Sequence, residues 1–356
     1  MEALLHRLLL ALSERVPVEL IGPSGVRAWA PSNCRVLAEL PFAAGRFLPA
    51  AAMLVLRHAD PRRHQLCFGG SGLMAPVLSV ARWRGVRTGV YLHGLDLVYP
   101  NPVYQRLFVA RLPAVDCAIA NSRHTRDLAL GRGLPAAHLS VVNPGVEMPS
   151  GDLVGAPVLQ GLRERWGPGP ILLSVGRLVA RKGVAEFIER TMPGLLRELP
   201  GLRLLVAGGE PPGASGEQTA RILAAVHGAG LEASVGLLGR VSAAELAALY
   251  QLADLHVLPL VERRGDVEGF GMVILEAAAR GVPSVAFDLG GVADALDSPE
   301  GGALVAAGDY SAFAAAVRKQ LDRACPEARL HLVERIRARS WRRFGEESIT
   351  ALGLLP

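Results

Sequence analysis

Residues 170–192 read PILLSVGRLVARKGVAEFIERTM. The opening PILLSVG is a short apolar run that ends in glycine, the pattern of a strand buried on both faces. A loop carrying Arg177 and Lys182-Gly183 follows, and VAEFIERTM then continues as a helix. Strand, loop and helix in that order make one repeat of an α/β fold, and the pattern recurs in both directions. Forward of it lie LRLLVAGG (202–209), ASVGLLG (233–239), LHVLPL (255–260) and PSVAFD (283–288). Behind it lie VPVELIG (16–22), QLCFG (65–69), RTGVYLHG (87–94), VDCAIAN (115–121) and LSVVNPG (139–145). Short β runs separated by helices and punctuated by Gly or Pro predict parallel sheets with crossover helices. Two such series predict two Rossmann-like domains, 1–150 and 151–334, divided within EMPSGDLVGAPVLQG (147–161). An open parallel sheet binds its ligand outside the carboxyl ends of its strands, so the expected site is a cleft between the two sheets.

Length and composition agree with that organisation. A chain of 356 residues is long for one core. Half of it is apolar, and 40 glycines and 25 prolines supply its turns. No window approaches 18 uncharged apolar residues, so no membrane-spanning helix is expected. The start, MEALLHRLLLALSERV, has apolar residues at 4, 5, 8, 9, 12 and 16, the spacing of an amphipathic helix rather than of a leader peptide. Four cysteines (34, 67, 117 and 325) stand far apart with no paired spacing, which argues against a metal knuckle or a disulfide framework and fits a reducing cytoplasm.

Charge is unevenly spread. Of 38 basic residues 36 are arginine, leaving Lys182 and Lys319 as the lysines. Residues 1–150 hold 16 arginines against 9 acids, whereas 151–356 hold 22 basic residues against 24 acidic. A basic first half suits an anionic partner such as a membrane surface, or is a solvated arginine-rich face. No basic run is interleaved with aromatics, so nucleic acid is not an expected partner.

Three motifs carry chemistry. Gly176, Arg177 and Lys182 share one strand-to-helix loop, where a guanidinium and an ammonium suit a diphosphate; the alternative is an exposed basic loop. In VEGFGMVILEAAARGVPSVAF (267–287) a helix begins near Gly271. Its first amides, around Phe270, Gly271 and Met272, form an anion site, and Glu276 in the second turn is an acceptor for paired sugar hydroxyls. Glu268 stands before the same helix. A ligand anionic at its middle and hydroxylated at both ends fits that layout, as a nucleotide-sugar does. The alternative is an amphipathic helix with one snorkelling glutamate. In GVYLHGLDL, His93 and Asp96 follow a strand end; a lone histidine there is more often structural, but that strand end faces the expected cleft. The glycine loop CFGGSGLMAP (67–76) lacks the Lys-Ser/Thr ending of a phosphate loop. NSRHT (121–125) reads as a helix cap by Ser122. Metalloprotease and serine-hydrolase signatures are missing, as is any Asp-x-Asp triplet for a divalent cation.

These segments resemble retaining glycosyltransferases of the GT-B fold, glycosyltransferase family 4. The resemblance covers most of 1–350 and is most specific in SVGRLVARKG, LLGRVSAAELAALYQLADLHVLP and EGFGMVILEAAARGVPSVAF, with Gly290-Gly291 beyond them. LHGLDL and VVNPGVE are similar but less specific. The resemblance implies that Arg177 and Lys182 stabilise the leaving nucleoside diphosphate. It implies that Glu276 accepts from the ribose hydroxyls and that Glu268 meets the transferred sugar. Amides of Phe270, Gly271 and Met272 would assist, Arg240 and Val241 would frame the base, and His93 would lie near the anomeric carbon. Transfer of a hexose would proceed with retention, by front-face attack, without a metal or other cofactor. The acceptor would be a glycan or lipid-linked molecule of cell-surface polysaccharide synthesis, at the inner face of the cytoplasmic membrane. A helix over about 335–356 would cross back to the first domain, packed by Trp341. In the family a strand and a Gly-Gly loop precede the helix that here begins at residue 2, so a gap in the first sheet is expected. Asp294 also stands where the family often carries glutamate. A catalytically impaired nucleotide-sugar-binding or scaffold protein is the alternative of another class, and a sugar-nucleotide epimerase is a third.

Overall fold

A computed structural model of the protein describes residues 2–41, 43–149, 155–296 and 298–354. The chain forms two compact units. One comprises Met1–Gly145, Arg264–Phe270 and Arg339–Pro356; the other comprises Val146–Arg263 and Gly271–Ala338. The domain boundary expected after residue 150 falls on residues 150–154, outside the described ones.

The first unit is α/β and entirely parallel in its ladders. Strands β1 (Val18–Pro23) and β2 (Cys34–Leu40) pair with each other. Strands β3 (Cys67–Gly69), β4 (Thr88–Leu92), β5 (Cys117–Ala120) and β6 (Leu139–Val141) form a second sheet in that spatial order. The gap expected in the first sheet is thus present, with no strand joining the two ladders among the described residues. Strand β2 was not read from the sequence. The N-terminal helix Glu2–Ser13 buries Leu4, Leu8 and Leu12 in one cluster with Tyr91, Ile119 and Phe344. The helix Trp341–Ala351 belongs to this unit and packs on that first helix. Trp341 meets Phe344 edge to face at 5.4 Å, and the Arg7 guanidinium lies 5.9 Å from the Trp341 ring.

The second unit holds one sheet of six parallel strands: β7 (Ile171–Val175), β8 (Arg203–Ala207), β9 (Val235–Gly239), β10 (Leu255–Leu258), β11 (Ser284–Phe287) and β12 (Gly302–Val305). Their spatial order is β12-β11-β10-β7-β8-β9. The chain starts in the middle, builds outward to β9, returns beside β7 as β10 and builds outward the other way. That reversal makes a topological switch point between β7 and β10, where adjacent connections leave in opposite directions and open a crevice. Every residue of β7, β10 and β11 is buried, because helices cover both faces. Alternate residues serve alternate faces: Leu204 and Val206 join Phe187, Phe287 and Phe313 on one side, while Leu205 and Ala207 join Tyr250 and Ala277 on the other. No helix among the described residues is long and apolar enough to cross a membrane.

Candidate active site

In the second unit the loops after β7 and β10 flank the switch point; Gly176, Arg177, Lys182, Gly271, Met272 and Glu276 follow these two strands, while Arg240 and Val241 follow β9. Lys182 comes at the end of a short 3₁₀ turn and is only 8% exposed. Its side chain folds back over Gly176, with Nζ 3.8 Å and Cε 3.5 Å from where a Cβ of that glycine would stand. Gly183 next to it has φ +64°, and a Cβ there would overlap the carbonyl oxygen of Pro259, just after β10. Only glycine permits both the left-handed conformation and that approach. The amide of Val261 donates to the carbonyl of Arg181 at 2.8 Å, so the loop is tied to the end of β10 by backbone. Arg177 is exposed.

The helix Met272–Ala278 starts from Gly271, φ +92°, with no side-chain cap. Glu276 is half-buried on it. The Tyr250 hydroxyl donates to Glu276 Oε2 at 3.5 Å, and the Arg280 guanidinium lies 5.0 Å from the Tyr250 ring. Burial pushes the Glu276 carboxyl up from its ordinary value, opposed by Arg280, the Tyr250 hydroxyl and Lys182. Lys182 also acts on His256, which is fully buried on β10. His256 Nδ1 lies 3.0 Å from Ser284 Oγ, and Nε2 has no hydrogen-bond partner. Burial first, and the Lys182 charge second, bring the His256 pKa down to about 3, so the ring is neutral. Arg240 is exposed; its side chain lies against Gly209 and donates to the Glu210 carbonyl at 3.0 Å. The Leu178 amide donates to the Gly209 carbonyl at 3.0 Å, which joins the Arg177 loop to the one Arg240 holds. Val241 is half-buried against the cluster that contains Tyr250.

The first unit gathers the rest. His93 follows β4, and its Nε2 donates to the Gly70 carbonyl at 2.9 Å. With that tautomer Nδ1 is the acceptor nitrogen. Burial lowers the basicity of the ring, against the pull of Asp96 and of the Gly70 carbonyl. Asp96 is itself a brace: one carboxylate oxygen accepts from the His93 amide at 3.0 Å and the other from the Gly72 amide at 2.9 Å. The segment 264–270 lies in this unit, with Gly269 packed directly on the His93 carbonyl. Half-buried Glu268 and buried Phe270 flank that contact. Ser122 caps the helix Arg123–Gly131 as its spacing suggests, accepting from Thr125 N at 3.1 Å. His93 and the Glu268 segment are therefore together in one unit. Gly176, Arg177, Lys182, Arg240, Val241, Gly271, Met272 and Glu276 are together in the other.

The family model for glycosyltransferase family 4 matches residues 1–148, and that for group 1 glycosyl transferases matches 169–323. A GDP-mannose-dependent alpha-(1-6)-phosphatidylinositol monomannoside mannosyltransferase of Mycobacterium tuberculosis is 30% identical over 291 residues, covering 80% of this chain and 70% of that protein. The chain belongs to glycosyltransferase family 4.

Other similarities of this family 4 glycosyltransferase agree. A D-inositol 3-phosphate glycosyltransferase of Nocardia farcinica is 31% identical over 58% of this chain and 45% of its own. The structure of Anabaena HepE in complex with UDP and glucose superposes with a TM-score of 0.76 at 19% identity, covering 99% of this chain and 96% of that one. At that identity the likeness shows the GT-B fold alone.

Sequence reasoning missed Tyr250, His256 and Arg280. Each carries a weak signal: a tyrosine inside AALYQL, a histidine inside an all-buried strand, and an arginine one helical turn after Glu276. Asp294, the departure from the family pattern, is buried on the short helix Val292–Ala295 after Gly290-Gly291. Among the described residues no group of three or more His, Cys, Asp or Glu is placed to hold a metal ion.

Proposed function

We propose that this family 4 glycosyltransferase is a retaining hexosyltransferase. It takes its sugar from a nucleoside-diphosphate donor and needs no metal. The observation that carries the reading is in the second unit: a buried ammonium folded over Gly176 that also acts on the half-buried carboxylate of Glu276, on the helix that starts from Gly271. Lys182 and Arg177 take up the charge that grows on the leaving diphosphate. Such stabilisation of developing charge is the largest single contribution an active site of this kind makes. Glu276 accepts from ribose hydroxyls, while Arg240 and Val241 border the base. In the first unit His93 offers a neutral Nδ1, and Glu268 accepts from the transferred sugar. In front-face attack the leaving phosphate oxygen removes the acceptor hydroxyl proton, so no protein base is required.

GDP-mannose is the donor to try first, given the mannosyltransferase relatives, followed by UDP-glucose. The acceptor class is a lipid-linked polyol or glycan of cell-surface polysaccharide synthesis at the inner face of the cytoplasmic membrane. A surface of the first unit supports that location. The helix Ala44–His58 carries Arg46 and Arg57 and no acid, and Pro49, Met53, Leu56 and Trp83 line a shallow apolar groove beside it. Trp83 is 76% exposed and Met53 49%. Aromatic and basic side chains around an apolar strip suit a headgroup boundary.

The test is donor turnover with phosphatidylinositol-type acceptors in anionic vesicles, with and without EDTA, followed by NMR of the product's anomeric linkage. An α product from an α donor, unaffected by EDTA, is expected. An inverted linkage would overturn the retaining mechanism. Nucleotide binding with no turnover on any acceptor would favour the non-catalytic reading instead.

A further inference from the structure

A cavity of about 730 Å³ opens at the amino-terminal ends of strands of the second unit's sheet. Pro283 in its wall directly precedes β11, and Arg329 there pairs at 3.6 Å with Asp254, the residue before β10. Both mark the amino ends of the strands. The donor-site loops leave the carboxyl ends, roughly 13 Å away along a four-residue strand. The volume falls within the range of sites that enclose a small molecule, about 300–1,000 Å³.

Its lining is mixed in a particular way. Pro283 and Leu332 give an apolar floor, and Arg323, Arg329, Arg335 and His331 stand around it together with the carboxylate of Glu300. Arg329 is held in place by the Ala253 carbonyl as well as by Asp254. Arg335 reaches Glu300 at only 3.6 Å, with both side chains about half exposed. A pair of that kind contributes little and yields to a better anion. Arg323 has no ion pair among the described residues. Guanidinium groups grip phosphate oxygens two at a time, and two of them here are unpaired or loosely paired. We infer that this cavity is a second ligand site, distinct from the donor site, for a small phosphate monoester with an apolar portion. The phosphate sits between Arg323 and Arg335, and the remainder lies on Leu332 and Pro283.

Cys325, exposed on the rim of the cavity, reports occupancy directly. Full-length protein is alkylated with iodoacetamide, a neutral reagent, in the presence of phenyl phosphate at fixed ionic strength. Modification of Cys325 and of Cys34, a reference far from the cavity in sequence and in the other unit, is read by mass spectrometry. At ten times its dissociation constant the probe should slow Cys325 alkylation about tenfold by mass action, with Cys34 unchanged. The double variant R323Q/R335Q should lose the slowing while keeping its melting temperature, since both side chains are exposed. Lys182→Met should retain it. The inference is overturned by no slowing at about 10 mM probe, an affinity too weak to be specific. It is equally overturned if phenol protects as well as phenyl phosphate, if R323Q/R335Q protects like the parent, or if Lys182→Met abolishes protection.

Discussion

Replacing Lys182 with methionine removes a buried charge and leaves a side chain of similar length. The ammonium Nζ stands 3.8 Å from the point that a Cβ of Gly176 would occupy. A diphosphate oxygen seated there would interact with it by about 4 kcal/mol at an effective dielectric constant of 20. Part of that interaction is present in the bound donor, and part develops only as the leaving bond breaks. Removing one such donor from an active site typically slows turnover by about 10²–10³. The expected result for Lys182→Met is therefore a fall in kcat of that size with a smaller change in donor KM. Steady-state kinetics with the cognate donor measures both. The melting temperature should change little, because methionine fills the same space and relief of the ammonium's own burial offsets the loss of its attraction for the Glu276 carboxylate. A loss of less than tenfold with an unchanged fold would refute the assignment of Lys182 to the leaving group.

Three further outcomes follow from the same geometry. Burial raises the Glu276 pKa above its unfolded value, so its ionisation opposes folding as pH rises through the raised pKa. Glu276→Gln should raise the melting temperature at neutral pH, lose that advantage below the ordinary carboxyl range, and weaken nucleotide binding; a lower melting temperature at pH 7 would contradict it. His256 is held neutral down to about pH 3, against 6.5 in the unfolded chain, so its contribution to stability is lost as pH falls between those values. The slope is at most roughly 1.4 kcal/mol per pH unit, and His256→Leu should flatten urea-unfolding free energies between pH 6 and 4 by up to that amount. Gly183→Ala imposes a left-handed conformation costing roughly 1–2 kcal/mol and drives a methyl into the Pro259 carbonyl, so a loss of about 3 kcal/mol or more is expected in denaturant unfolding.

The second unit was the more legible in sequence. PILLSVG and LRLLVAGG contain β7 and β8, and LHVLPL and PSVAFD contain β10 and β11, because strands covered on both faces must be continuously apolar. Strand β12 escaped notice. It has four residues, begins at a glycine and sits on the sheet edge, so neither length nor hydrophobicity marks it. Strand β2 escaped for another reason: Arg35 and Glu39 interrupt it, and it is only partly buried beside β1. The same contrast holds at the site. Lys182 was conspicuous as one of two lysines, and Glu276 as a charge in an apolar helix. The groups that oppose the burial of Glu276, Tyr250 and Arg280, and the histidine on which Lys182 acts, His256, come from other elements or the next turn. No local pattern joins a tyrosine at 250 to a glutamate at 276. Their meeting depends on how a helix settles over β7 and β8, and that is decided by the packing of the whole face.

The anchoring of the loop after β7 bears on how this site can diversify. Its carbonyl at Gly176 abuts Gly208, and its end at Gly183 abuts the Pro259 carbonyl, so main chain rests on main chain at both ends. Changing neighbouring side chains cannot readily move such a loop. Arg240, by contrast, lies on Gly209 through its flexible side chain alone. New donor preferences should therefore be easiest to select at positions 240 and 241, with the cationic loop inherited unchanged. A library that randomises 176–183 would yield mostly unfolded protein, whereas one that randomises 240 and keeps 241 apolar, to hold its packing on the Tyr250 cluster, would sample specificity at little structural risk.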